Sequence, residues 1–141
     1  MTIDDRLKLE NQLCFPLYVA SKEVIKRYRP FLDKIDLTYT QYIAMMVLWE
    51  KETINVKDLG KRLFLDSGTL TPLLKSLETK GLVNRKRSKE DERILVVTIT
   101  EKGKALKEEA VKIPEKMASC IKLSPEEAVN LYNLIKKLLE E

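Results

Sequence analysis

Histidine does not occur among the 141 residues of this chain. Its absence removes Ser-His-Asp and Cys-His nucleophile systems and most zinc sites, because each depends on imidazole as base or ligand. A hydrolase reading is therefore poor, and no metal or cofactor is expected. Cysteine is almost as scarce: Cys14 and Cys120 lie far apart, match no zinc spacing, and in a reducing compartment are expected as free thiols. Long apolar runs are missing too, since no stretch approaches the roughly 18 consecutive apolar residues of a membrane span. The start, Met1 to Arg6, has no apolar run behind a basic segment, so a cytoplasmic protein without membrane contact is expected. A large charge of one sign is also lacking, because 26 Lys+Arg against 22 Asp+Glu leave a formal charge of +4. Distribution, more than total charge, must point to a partner.

What is present is helical periodicity. With 44% hydrophobic residues, the length suits one domain, taken as residues 1–141. The four glycines and the long stretches at 3/4 spacing predict a mainly α chain with a small β-hairpin. A first long helix is expected from about Asn11 to Leu13, with Pro16 in its first turn, to about Arg29 ahead of Pro30; the alternative is a helix from Asp4 bent at Pro16. Thr38 to Gln41 has the form of a capping box, predicting a helix to about Lys51 with Ile43, Met46, Val47 and Trp49 on its apolar face. Two short helices follow, Val56 to Phe64 and Asp66 or Ser67 to Lys80, the second closed by Gly81 in a left-handed conformation. From Leu82 to Thr100 the residues turn charged and then β-branched, which reads as a hairpin with its tip at Ser88 to Glu92. Thr100 opens a helix toward Pro114 and beyond. Ser124-Pro-Glu-Glu127 caps the last helix, whose apolar residues Ala128, Leu131, Tyr132, Ile135, Leu138 and Leu139 form a stripe wide enough to bury against other helices.

The order helix, short helix, short helix, hairpin is that of a winged helix-turn-helix. The second short helix presents Ser67, Gly68, Thr69, Thr71, Pro72 and Lys75, small or cationic groups near a helix N-terminus, where backbone donors and the dipole favour phosphate. A capped surface helix would look the same. The hairpin concentrates Arg85, Lys86, Arg87, Lys89 and Arg93, as expected for a wing on phosphates or in a minor groove. Glu90, Asp91 and Glu92 cut the local net charge, as in a merely solvated hairpin, unless an acid braces an arginine.

Leu65 to Lys75, Gly81 to Arg87 and Asp91-Glu-Arg93 resemble the MarR family, and the resemblance covers nearly the whole chain. It implies a homodimer on a palindromic DNA duplex. The dimerisation helices would be about 8–33 and 101–141, and the DNA-binding winged helix-turn-helix about 38–100. It further implies that Arg93 enters a minor groove, oriented by Asp66. Within that family, Leu9 to Tyr18, with Tyr28 and Tyr39, resembles the organic-hydroperoxide-sensing subgroup. That resemblance implies that Cys14 is the peroxide-reactive thiol, that Tyr28 and Tyr39 hydrogen-bond it, and that oxidation releases the operator. A thiol in the first turn of a helix meets the positive end of the dipole, and phenolic donors favour the thiolate, the form a peroxide oxidises to sulfenic acid. Cys120 falls about where two-cysteine members place a resolving cysteine from the partner subunit; the alternative is capping by a small thiol. Two other functions remain open at this point: a MarR-type repressor released by a small aromatic effector, and a thiol peroxidase.

Overall fold

Prolines and caps set most of the helix boundaries. The computed structural model describes residues 1–140. Among these, α1 (Ile3–Arg6) and a 3₁₀ turn (Leu9–Asn11) precede α2 (Cys14–Asp33), α3 (Tyr39–Lys51), β1 (Thr53–Asn55), α4 (Val56–Leu63) and α5 (Ser67–Thr79). Then come β2 (Val83–Arg87), β3 (Leu95–Ile99), α6 (Glu101–Ala110), α7 (Lys112–Cys120) and α8 (Pro125–Leu139). Pro16 is the third residue of α2, where the backbone N–H has no intrahelical partner to lose. Pro30 lies inside α2, which runs on to Asp33 where the sequence predicted an end at Arg29. The extra turn buries Leu32 and packs Phe31 against the core, which offsets the hydrogen bond that proline removes. Pro114 acts the other way: its ring would clash with the carbonyl of Ala110, four residues back, and the chain breaks at Val111 into α6 and α7.

The two capping boxes form as predicted, Thr38 with Gln41 and Ser124 with Glu127, and Gly81 takes φ +79° after α5. On α3 the buried apolar residues are Tyr42, Ala44, Met45, Val47 and Leu48, whereas the predicted Met46 is exposed, so the apolar face is centred one residue away. The sheet has three antiparallel strands in the order β1-β3-β2, not the two of a simple hairpin. Thr53 pairs with Thr98 and Val83 with Ile99. Strand β1 is three residues long, too short to print an alternation in the sequence.

The core joins Leu48 of α3, Leu59 of α4, Leu70, Leu74 and Leu77 of α5, and Val83, Val97 and Ile99 of the sheet. Gly103 closes it on one side. A Cβ there would meet the Leu82 carbonyl and come within 2.7 Å of Ile99 Cγ1, and the Gly103 carbonyl accepts from Trp49 Nε1 at 2.8 Å. By contrast α8 buries none of its residues: Val129, Leu131, Tyr132, Leu134, Leu138 and Leu139 stay exposed on the single chain. No helix among the described residues is long and apolar enough to cross a membrane.

Candidate functional site

The DNA-facing candidates lie on α5 and on the wing. Asp66 caps α5 by accepting from the Thr69 N–H at 2.8 Å. Buried Leu70, Leu73, Leu74 and Leu77 fix which side of α5 faces the core, leaving Ser67, Gly68, Thr69, Thr71, Pro72 and Lys75 exposed together. In the wing, the Ser88 N–H donates to Ile94 O at 2.7 Å and narrows the tip. There Arg93 is held by Asp91: its Nε donates to Oδ1 and its Nη2 to Oδ2, both at 3.1 Å, while the Arg93 N–H donates to Oδ1 at 3.0 Å. These bonds hold the Asp91 carboxyl below the usual carboxylate range. Arg93 itself remains 90% exposed, braced and available. Its carboxylate partner here is Asp91; Asp66, which the resemblance gave that role, serves as the α5 cap.

The five wing cations divide into two kinds. Lys86, Arg87, Lys89 and Arg93 are exposed, but Arg85 is only 18% exposed. Its Nη2 donates to Glu78 Oε1 at 3.2 Å and its N–H to Glu78 Oε2 at 3.1 Å, tying β2 to α5. This pairing, led by the guanidinium hydrogen bond, lowers the Glu78 pKa. Arg85 Nε is buried without a partner, so this side chain is oriented inward. Sequence reasoning missed Glu78, because a contact between residues on a helix and a strand leaves no spacing signal. It also missed Phe64, a 73% exposed aromatic held at φ +57° in the turn between α4 and α5. Phe64 borders a cleft of about 810 Å³ that Ser67, Arg93 and Ile94 also line.

The thiol site is dispersed in one chain. Cys14 is exposed as the first residue of α2. Tyr28 lies 14 residues further along the same helix, about 21 Å at 1.5 Å per residue. There it packs on Tyr39 (ring centroids 5.0 Å apart) and on Tyr42 (5.9 Å). Burial raises the pKa of Tyr28 and Tyr39 and pushes Tyr42 up to about 12, so these phenols stay protonated as donors at neutral pH. Cys120 ends α7 beside the same far half of α2, where Arg27 Nη1 donates to its carbonyl at 3.2 Å. The structure thus brings Tyr28, Tyr39 and Cys120 to one end of α2 and leaves Cys14 at the other.

A model of the transcriptional regulator SarA/Rot family matches residues 21–110. The chain is 52% identical over 136 residues to the organic hydroperoxide resistance transcriptional regulator of Bacillus subtilis, covering 96% of this chain and 92% of that one. Among solved structures, the overoxidized AbfR of Staphylococcus epidermidis bound to DNA matches with a TM-score of 0.81 at 33% identity, over 98% of this chain and 97% of that one. Disulfide-formed AbfR matches with a TM-score of 0.69 at 34% identity, over 97% and 96%.

Proposed function

The chain belongs to the MarR-type winged-helix transcriptional regulators, in the SarA/Rot family, and from that premise we propose that it is a homodimeric repressor whose operator is released when an organic hydroperoxide oxidises Cys14. What carries the reading is the presence, in one chain, of an exposed thiol opening α2 and an exposed α5 face flanked by a braced wing arginine. Ser67, Gly68, Thr69, Thr71, Pro72 and Lys75 meet the major groove and its phosphates, while Arg87, Lys89 and Arg93 follow the backbone and the adjoining minor groove. Such a protein works in the cytoplasm as a regulator and needs no cofactor.

The dimer is required by the thiol site as well as by DNA. Within one subunit the length of α2 separates Cys14 from Tyr28 and Tyr39, so the phenols that bond the thiolate are Tyr28 and Tyr39 of the partner subunit. The exposed apolar stripe of α8 and the apolar residues around Cys14, among them Leu13, Phe15 and Tyr18, supply the surface that pairing two copies would bury. In the reaction the Cys14 thiolate attacks the outer peroxide oxygen, the O–O bond breaks, and sulfenic acid and an alkoxide form, the latter leaving as alcohol after protonation. The Cys120 thiolate of the partner then attacks the sulfenic sulfur and expels hydroxide, giving an intersubunit disulfide that a cellular thiol can reduce again.

Operator binding tests the repressor part. Affinity for a palindromic duplex falls steeply with salt, and Arg93→Ala lowers it by more than about tenfold and flattens the log–log salt slope by about 1. Binding that ignores salt, or is equal in Arg93→Ala, contradicts the reading. For Cys120, a non-reducing gel of peroxide-treated protein gives a dimer band that Cys120→Ser abolishes; a monomer-only pattern in the parent assigns resolution to a small thiol.

A further inference from the structure

Gln41 is the one buried polar residue among the described residues, and it sits on α3 between Tyr39 and Tyr42 in the sequence, facing α5. Its backbone N–H donates to Thr38 Oγ1 at 3.3 Å and its Oε1 accepts from the Thr38 N–H at 3.1 Å, which closes the α3 capping box. The same side chain crosses to α5: Nε2 donates to Ser76 Oγ at 2.9 Å, and Oε1 also accepts from Lys80 Nζ at 3.0 Å. Lys80 Nζ in turn donates to the Asp36 carbonyl and stands 3.8 Å from Asp36 Oδ2. Asp36 holds a left-handed φ of 54° in the turn between α2 and α3. One buried amide therefore joins that turn, the first turn of α3 and the end of α5, in a setting where a lost partner is costly.

Tyr39 and Gln41 are the first and third residues of the same helical turn. Tyr39 also packs on Tyr28 and on Tyr42. A displacement of Tyr39 that shifts this turn shifts the Gln41 amide, and Ser76 and Lys80 must follow it or leave a buried group unpaired. Helix α5 is about 20 Å long, so a small tilt imposed near Ser76 and Lys80 is largest at the Ser67 to Thr71 end. The clamp of Glu78 on Arg85 ties the wing to the same helix.

We infer that Gln41, with Ser76 and Lys80, is the positioning element that transmits the state of the thiol site to the DNA-reading helix. This rests on the sensing reading above. Neither Ser76 nor Lys80 belongs to the exposed DNA face, so their substitution separates transmission from binding.

The test is operator affinity of the parent, Ser76→Ala and Lys80→Met, each measured reduced and after cumene hydroperoxide, with Cys14 oxidation followed by intact mass. The expected parent loses affinity by about tenfold or more on oxidation, within the range of ordinary allosteric couplings. Both variants bind the operator in the reduced state within about threefold of the parent and oxidise at Cys14 to the same extent, yet lose less than about threefold on oxidation. Equal losses in parent and both variants overturn the inference and leave thiol sensing intact. A reduced variant weakened more than about tenfold also overturns it, since the network would then build the DNA surface itself. A parent that keeps its operator with Cys14 fully oxidised overturns the sensing reading and this inference together.

Discussion

Arg85 and Arg93 belong to one wing but stand in different surroundings. Both are wing cations eight positions apart in a charged stretch, and composition treats them alike. The fold pairs Arg85, only 18% exposed, with Glu78, and braces the 90% exposed Arg93 against Asp91. Arg85→Ala is therefore expected to lower the thermal midpoint and weaken operator binding through a displaced wing, with the salt slope of the parent retained; Arg93→Ala should change the slope and leave the midpoint nearly untouched. Thermal melts and salt-titrated binding of the two variants distinguish these cases. The pH dependence follows from Glu78, whose folded pKa lies below its ordinary value. A depressed carboxylate contributes stability that is present above the unfolded pKa of about 4.3 and lost as pH falls through the folded value. The midpoint difference between parent and Glu78→Gln should stay constant from about pH 8 to pH 5 and shrink below about pH 4; a difference that peaks in acid would contradict the assignment. Residue types were legible in the sequence, as with the hydroxyls of α5 and the scarce thiols. Their partners were not, because Glu78 with Arg85 and Gln41 with Ser76 are joined by folding alone.

At the scale of elements, caps and prolines carried the most information. Thr38, Thr100 and Ser124 each cap the helix that the sequence assigns to them. At Pro30 a local rule meets a tertiary one: the last turn of α2 persists past the proline to bury Leu32. Strand β1 left no trace for a different reason, since it is held by its pairing with β3 over only three residues. Gly103 was equally silent, although it sets the approach of α6 to the Leu82 carbonyl and Ile99. Adding a methyl group there forces backbone to move, and Gly103→Ala is expected to cost about 2–3 kcal/mol, the scale of an overpacked core. Chemical denaturation measures this, and a cost under about 0.5 kcal/mol would show that α6 can shift freely.

At the scale of the molecule, the single chain leaves unfinished surface at both of its ends. Leu134 and Leu138 on α8 stay exposed on the single subunit, and Cys14 stands about 21 Å along α2 from Tyr28. In the proposed dimer a second copy covers the first and brings its own Tyr28 and Tyr39 to the second. Replacing Leu134 and Leu138 together with lysine should give a folded monomer in sedimentation experiments, with operator affinity lowered by more than about tenfold because only one half-site is engaged at a time. A dimer that survives the double substitution would place the interface elsewhere. The sequence shows the apolar stripe but not its partner, since a face made for a neighbouring helix and one made for another subunit have the same periodicity.

In the proposed mechanism, sensing and operator release meet at one sulfur atom, that of Cys14. The most direct measurement follows a preformed operator complex during titration with cumene hydroperoxide, recording released DNA and the intact mass of the protein in the same samples. DNA is expected to leave in proportion to conversion of Cys14 to sulfenic acid or disulfide, a thiol reductant to restore the complex, and Cys14→Ser protein to stay bound throughout. Release of DNA from Cys14→Ser protein at the same peroxide concentration, or a parent complex that persists after Cys14 has become disulfide, would contradict the proposed mechanism.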